Sequence, residues 1–242
     1  QKILLMNKFR KAKLPNFVYK NNNYEKVNYS GITKILYTFN HKLMDIGVNS
    51  KFNKHILDVG GGAAPHLNFM KLENIKSYTV LDSPKFKKAI LDLKKVDRVK
   101  NNKIKIIFLD YKKKSSYKKS LYTRLVSSHC FEHFNNFEDN FLKLLPLLKR
   151  DALISTALPC DPGLTWRILQ FFSYLKQKKI YKWKNFKQKD LDDSRDHVTP
   201  IQNILKIINY YFTRNKAIYF PFLIPIISIN IFLILQTKLS SF

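Results

Sequence analysis

Three glycines in a row, Gly60-Gly61-Gly62, follow directly on the apolar run ILDV at 56–59, in a chain with only six glycines among its 242 residues. Half of its most permissive backbone therefore sits at one turn. The apolar run is not alone. Runs of the same kind recur at 78–82, 104–110, 124–128 and 152–158, and polar stretches of helical character lie between them at 65–73, 84–95 and 137–148. Strands alternating with helices predict a parallel sheet with right-handed crossovers. In such a sheet ligands bind beyond the carboxyl ends of the strands, where the strand order reverses. The glycine turn, placed between the first strand and the first helix, falls there.

The residues around the turn limit what it can hold. A dinucleotide-binding turn needs glycine at its first, third and sixth positions. Counted from Gly60, the sixth position is Pro65. No Gly-Lys-Ser/Thr follows, so a P-loop is excluded as well. A purely structural turn stays open at this point. The ends of the first three strands then add three carboxylates: Asp58, Asp82 and Asp110. Asp82 closes the second strand about 20 residues past the glycines, where a carboxylate accepts from a ribose diol. Three acids around a glycine turn repel a pyrophosphate. They suit a nucleoside that carries a cationic or zwitterionic tail.

These stretches resemble the class I S-adenosylmethionine-dependent methyltransferases. ILDVGGGAAP (56–65) is similar to that family's first motif, with Ala64 in place of the last glycine. YTVLD (78–82) and IIFLDY (106–111) resemble its second and third strand motifs, and LVSSHCFEHF (125–134) its fourth, which commonly ends in Glu-His. The resemblance covers roughly residues 50–160. It implies a Rossmann-like, seven-stranded, mostly parallel sheet of order 3-2-1-4-5-7-6 with helices on both faces. It implies S-adenosylmethionine as cofactor, held by Asp58, Gly60, Gly61, Gly62, Asp82, Ser83, Asp110, Tyr111 and Ser128. No Asn-Pro-Pro-Tyr motif follows the fourth strand, which argues against methylation of adenine amines in DNA. Thr123 and Arg124 stand where the family often has aspartate. Cys160 follows Pro159 but lacks the setting of a cytosine-C5 nucleophile, and reads as a small buried hydrophobe.

A sulfonium donor is already activated, so acceptor chemistry asks mainly for alignment and, with a hydroxyl acceptor, a base. His129, just past the fourth strand, His133 in the Glu-His pair and His197 before a helix start are the candidate catalytic residues. His41, His55 and His66 read as structural or surface groups. No metal is expected, because the histidines and acids show no ligand spacing such as His-Glu-x-x-His. The acidic group Asp190, Asp192, Asp193 and Asp196 reads as a solvated patch.

Residues 1–50 read as a basic N-terminal extension with a helix at 31–47, and residues 51–242 as the methyltransferase domain. Within the domain, 159–198 is a less regular, lid-like insertion. In TPIQNILKIINYYF (199–212) Thr199 and Gln202 fit a capping box around Pro200. Residues 217–235 are apolar enough to suggest a membrane span. However, Pro221, Pro225, Ser228 and Asn230 interrupt them, and 217–223 and 227–236 are expected to supply the last two strands as a buried hairpin turning at 224–226.

The net charge is +27, from 44 basic against 17 acidic residues. Only seven of the 44 are arginine, the residue preferred for bidentate nucleic-acid contacts; the lysines, with abundant Asn, Ile, Phe and Tyr, match an AT-rich codon bias. The clusters at 8–13, 112–114 and 176–179 read as solvated faces. The reading that follows is methyl transfer to a small-molecule, lipid or glycan-precursor acceptor. RNA methylation, drawing on the basic surface and on Trp166, Tyr181 and Trp183 among lysines, is one alternative. A non-catalytic binding module is another. Two cysteines outside any disulfide framework and no signal peptide agree with a cytoplasmic protein, with peripheral contact to anionic membranes left open.

Overall fold

The computed structural model describes residues 31–62, 65–112, 117, 119–212 and 215–239. Most of the N-terminal extension (1–30), the cluster at 8–13, Lys113 and Lys114, and Ala63 and Ala64 of the glycine loop lie outside the described residues. Contacts group the chain into two units, Gln1–Tyr37 and Thr38–Phe242. The sheet and the candidate site belong to the second.

Seven strands form one sheet: β1 (His55–Val59), β2 (Ser77–Asp82), β3 (Lys105–Asp110), β4 (Tyr122–Ser128), β5 (Leu148–Pro159), β6 (Asn215–Phe220) and β7 (Phe232–Lys238). Their order is β3-β2-β1-β4-β5-β7-β6. The first five run parallel, and β7 enters antiparallel between β5 and β6. This is the order and polarity expected from the sequence. The apolar runs are explained by burial on both faces. Ile56 and Leu57, adjacent on β1, fall in opposite cores, as do Leu125 and Val126 on β4.

Among the described residues the helices are α1 (Gly31–Met44), α2 (Lys87–Asp92), α3 (Asp97–Asn101), α4 (Phe137–Leu142), α5 (Leu164–Tyr181), α6 (Phe186–Asp196) and α7 (Ile201–Tyr211). One face of the sheet is covered by α4 and α7 through Phe137, Phe141, Ile204 and Ile208. The other is covered by Met44 of α1, Ile90 of α2 and Val99 of α3. Arg124 fastens the end of α1 to the sheet. It is fully buried and donates to Asp45 Oδ1 (2.6 Å), Asn53 Oδ1 (2.9 Å), the Met44 carbonyl (2.7 Å) and Ser155 Oγ (3.1 Å). A buried cation is tolerated only when its donors are matched in this way.

Several local expectations are corrected. The stretch 65–73 is a single 3₁₀ turn, Pro65–Phe69, and 84–95 breaks into two 3₁₀ turns flanking α2. The helix expected over 137–148 stops at Leu142, and Pro146 sits in a separate turn, Leu145–Leu147, because proline cannot donate within a helix. Residues 159–198 are not irregular: they hold α5 and α6. Thr199 does not cap α7; its hydroxyl donates to the Phe134 carbonyl at 2.6 Å, and Pro200 takes the cap position. The C-terminal hairpin forms, with β7 buried along most of its length. Its partner β6 is an edge strand with exposed positions, and the connection spans 221–231 rather than 224–226. Among the described residues no helix is long and apolar enough to cross a membrane.

Candidate functional site

At the carboxyl end of β1 the chain makes its glycine turn. Gly60 has φ +70° and Gly62 φ +53°, conformations that residues with a Cβ rarely adopt. Space matters as well. A Cβ on Gly60 would overlap Cys130 Sγ, and one on Gly61 would overlap the Asp58 carboxylate. The turn is therefore pressed between the end of β1 and the loop after β4.

Asp58 lies beneath it, fully buried, and accepts a short hydrogen bond from the Tyr78 hydroxyl. Burial is the main influence on its carboxyl, outweighing that bond and nearby His66, and pushes it up to about 6. Asp82 ends β2 and reaches over the turn. Its Oδ2 accepts from the Gly62 amide at 2.8 Å and its Oδ1 from the Ser83 amide at 2.5 Å. Burial raises its carboxyl although both amides favour the charged form. Asp110 pairs in register with Asp82 across β2 and β3, and its Oδ1 accepts from the Lys112 amide at 3.0 Å. Tyr111 follows, half exposed, its amide donating to the Asp82 carbonyl at 3.3 Å. Ser128, at the end of β4, lies opposite Ala157 of β5. Eight of the nine residues implied for the cofactor thus stand on one rim, with Asp58 directly beneath.

The histidines named from the sequence also converge. His129 follows β4 with φ +50°, a sparsely populated conformation for a non-glycine residue that recurs at functional sites. Asn40 Nδ2 donates to its Nε2 at 2.5 Å, so the ring proton belongs on Nδ1, which stands 3.7 Å from Glu132 Oε1. His133 Nδ1 meets the Asp196 carbonyl at 2.9 Å, while its Nε2 is 4.0 Å from Glu132 Oε1. Burial alone would lower His133; the Asp196 bond and the charges of Glu132 and Asp196 push it up to about 9. His197 Nδ1 meets Asp161 Oδ2 at 2.9 Å, and the two rings, His133 and His197, lie 5.1 Å apart. Trp166 of α5 closes the cluster, 6.3 Å from both the His129 and the His197 ring.

Glu132 is the residue that sequence reasoning passed over. It is 3 % exposed, and neither carboxylate oxygen has a hydrogen-bond partner. Burial would raise its carboxyl, but the surrounding histidines, His129 first, hold it below the ordinary value. The Glu-His pair in FEHF was its only sequence signal. Asp161 and Asn40 carried none, since their partners lie 36 and 89 residues away. The acidic group on α6 is not simply solvated. Asp190 pairs with Arg167 at 3.1 Å, Asp192 accepts from Trp183 Nε1 at 3.1 Å, and Asp193 binds Lys189. Cys160 is buried as expected, and burial pushes its thiol up to about 12. His41 and His66 are buried against each other at 3.1 Å.

No family model and no curated protein matches the sequence. Solved structures do match the fold. The plantazolicin methyltransferase BpumL in complex with SAH superposes with a TM-score of 0.59 at 16 % identity, covering 91 % of either chain. The methyltransferase domain of bacterial CtHen1-C gives 0.58 at 14 % identity, over 86 % of this chain and 100 % of that one. The CurJ carbon methyltransferase gives 0.56 at 9 % identity, over 89 % of this chain and 58 % of that one. With its strand order, its antiparallel β7 and its glycine turn after β1, the chain has the class I S-adenosylmethionine-dependent methyltransferase fold.

Proposed function

We propose that this protein transfers a methyl group from S-adenosylmethionine to a small-molecule, lipid or glycan-precursor acceptor. The observation that carries the reading is the rim formed by the Gly62 amide, Asp82 and Asp110. Asp82 is placed to accept from the ribose diol, and Asp110 with Tyr111 to meet the adenine. Gly60, Gly61 and Gly62 let the methionine tail approach the backbone, with Ser83 and Ser128 flanking it. Asp58 supports the turn from below and adds negative potential toward the sulfonium. The BpumL structures, solved with SAH and in one case also with a monoazolic desmethylPZN analog, support S-adenosylmethionine as the donor in this reading.

The acceptor would lie on the side of His129, His133 and His197, beneath α5 and α6 as a lid. Alignment of acceptor, methyl and sulfur can supply about 7–11 kcal/mol, and a histidine base about 10²–10⁴-fold. An apolar or lipid-linked acceptor is favoured by one feature of α5. Leu164, Ile168, Phe171, Phe172 and Leu175 form an exposed apolar stripe at helical spacing. Lys176, Lys178 and Lys179 in the last turns of that helix, with Lys182 at its C-cap, would add attraction to an anionic membrane surface.

The test is incubation of the purified chain with cell extract and isotopically labelled S-adenosylmethionine, followed by mass spectrometry. A labelled product in the lipid or small-molecule fraction is expected. Label confined to RNA would move the acceptor to nucleic acid, and no label in any fraction would argue for a binding module.

A further inference from the structure

Glu132, His133 and His197 each bring one donor atom into a single spot, all within 4.8 Å of one another. The rings and the carboxylate come from the turn after β4 and from the junction between α6 and α7. Three features of the group go beyond proximity. The Glu132 carboxylate is buried and neither oxygen has a hydrogen bond; its nearest partners are ring nitrogens, His129 Nδ1 at 3.7 Å and His133 Nε2 at 4.0 Å, a loose arrangement that a bound cation would tighten. His133 uses Nδ1 on the Asp196 carbonyl, which leaves Nε2 turned toward Glu132. His197 uses Nδ1 on Asp161 Oδ2, leaving its own Nε2 for another partner. Metal-bound histidines are oriented in this way, with one nitrogen on the ion and the other held by a carbonyl or carboxylate.

We infer that Glu132, His133 and His197 form a binding site for a divalent transition-metal ion. Two imidazoles and one carboxylate are the protein ligands of a three-point site that keeps a position open for a further donor. Imidazole nitrogen selects zinc, cobalt or iron over magnesium and calcium, which prefer oxygen throughout. Around a tetrahedral ion with bonds of about 2.1 Å the ligand atoms stand roughly 3.5 Å apart, so the side chains need only small rotations to close on it. The turn that bears Glu132 also bears Cys130, which packs under Gly60. An ion held there would therefore stand beside the glycine turn. The inference goes beyond methyl transfer and does not depend on it.

The experiment is a titration of the full-length, untagged, chelator-treated protein with Co²⁺, followed by visible d–d absorption and by calorimetry. One ion per chain is expected, displaced by Zn²⁺ and not by Mg²⁺. Glu132→Gln and His197→Asn should each weaken binding by more than tenfold, and Asp161→Asn by about 10–100-fold as a positioning residue. His55→Ala, on the opposite end of β1, should bind as the unaltered chain does. Circular dichroism checks folding; if Glu132→Gln does not fold, His197→Asn and Asp161→Asn decide. No stoichiometric Co²⁺ spectrum in the unaltered protein, or binding unchanged in the folded variants, would overturn the site.

Discussion

The amide of Gly62 donates to Oδ2 of Asp82 at 2.8 Å across twenty residues of sequence, joining the glycine turn after β1 to the end of β2. The bond fixes the carboxylate above the turn. It also leaves lone pairs on both oxygens, since an ionised carboxylate offers about four acceptor sites. One side chain can thus shape the turn and receive a ligand.

Replacing Asp82 by alanine should therefore act twice. Loss of hydrogen bonds to a charged acceptor is expected to cost about 1.5–3 kcal/mol of affinity for S-adenosylhomocysteine. Asp82→Asn, which keeps acceptor capacity without the charge, should lose less. Calorimetry on the two variants checks the order; equal affinity in Asp82→Ala and the unaltered chain would remove Asp82 from the site.

The glycines make a paired prediction. Gly60→Ala meets both a positive φ and the Cys130 side chain, whereas Gly62→Ala meets a positive φ and nothing within 4 Å. The second should cost about 1–2 kcal/mol of stability, the first clearly more and with loss of ligand binding. Thermal melts of the two variants, with and without ligand, measure the difference. Equal melting temperatures would mean that the loop after β4 does not press on the turn.

Burial lifts the Asp58 carboxyl from its ordinary 3.8 to about 6. Between those two pH values the folded chain binds more protons than the unfolded chain, so Asp58 lowers stability progressively as pH rises from 3.8 to 6 and not further above. The span corresponds to about 3 kcal/mol. Asp58→Asn removes this titration. Its stability relative to the unaltered protein should therefore improve by about that amount between pH 4 and pH 7, read from urea melts at each pH. A difference that stays level across the interval would show that Asp58 is not titrating there.

The strands were legible in the sequence because burial on both faces makes them mostly apolar runs, even though a few polar side chains such as Asp58 and Arg124 are buried within them. β6 was read as buried when it is an edge, since its apolar residues face partly outward and hydrophobicity alone cannot report which strand ends a sheet. α5 was read as irregular for a related reason: Leu164, Ile168, Phe171, Phe172 and Leu175 make a regular stripe that is exposed, among lysines that mask its periodicity. Asp58, Asp82, Asp110 and the glycines were visible as strand-end residues, because the turn holds them in sequence order. The Glu132, His133 and His197 group was not recognised as a unit. Its members lie up to 65 residues apart, and only the packing of the α6–α7 junction against the turn after β4 brings them together. Thr199 shows the same limit at small scale: a capping sequence was present, but the Phe134 carbonyl offered its hydroxyl a different partner.

The central claim is that the rim of Gly60, Gly61, Gly62, Asp82 and Asp110 is an adenosine site for a donor without phosphates. Isothermal calorimetry of the full chain with S-adenosylhomocysteine, S-adenosylmethionine, NAD and ATP tests it most directly. One equivalent of each of the first two should bind, at affinities that fall in Asp82→Ala, while NAD and ATP give no heat of binding. Binding of NAD or ATP in place of S-adenosylhomocysteine, or no binding of any of the four, would contradict it.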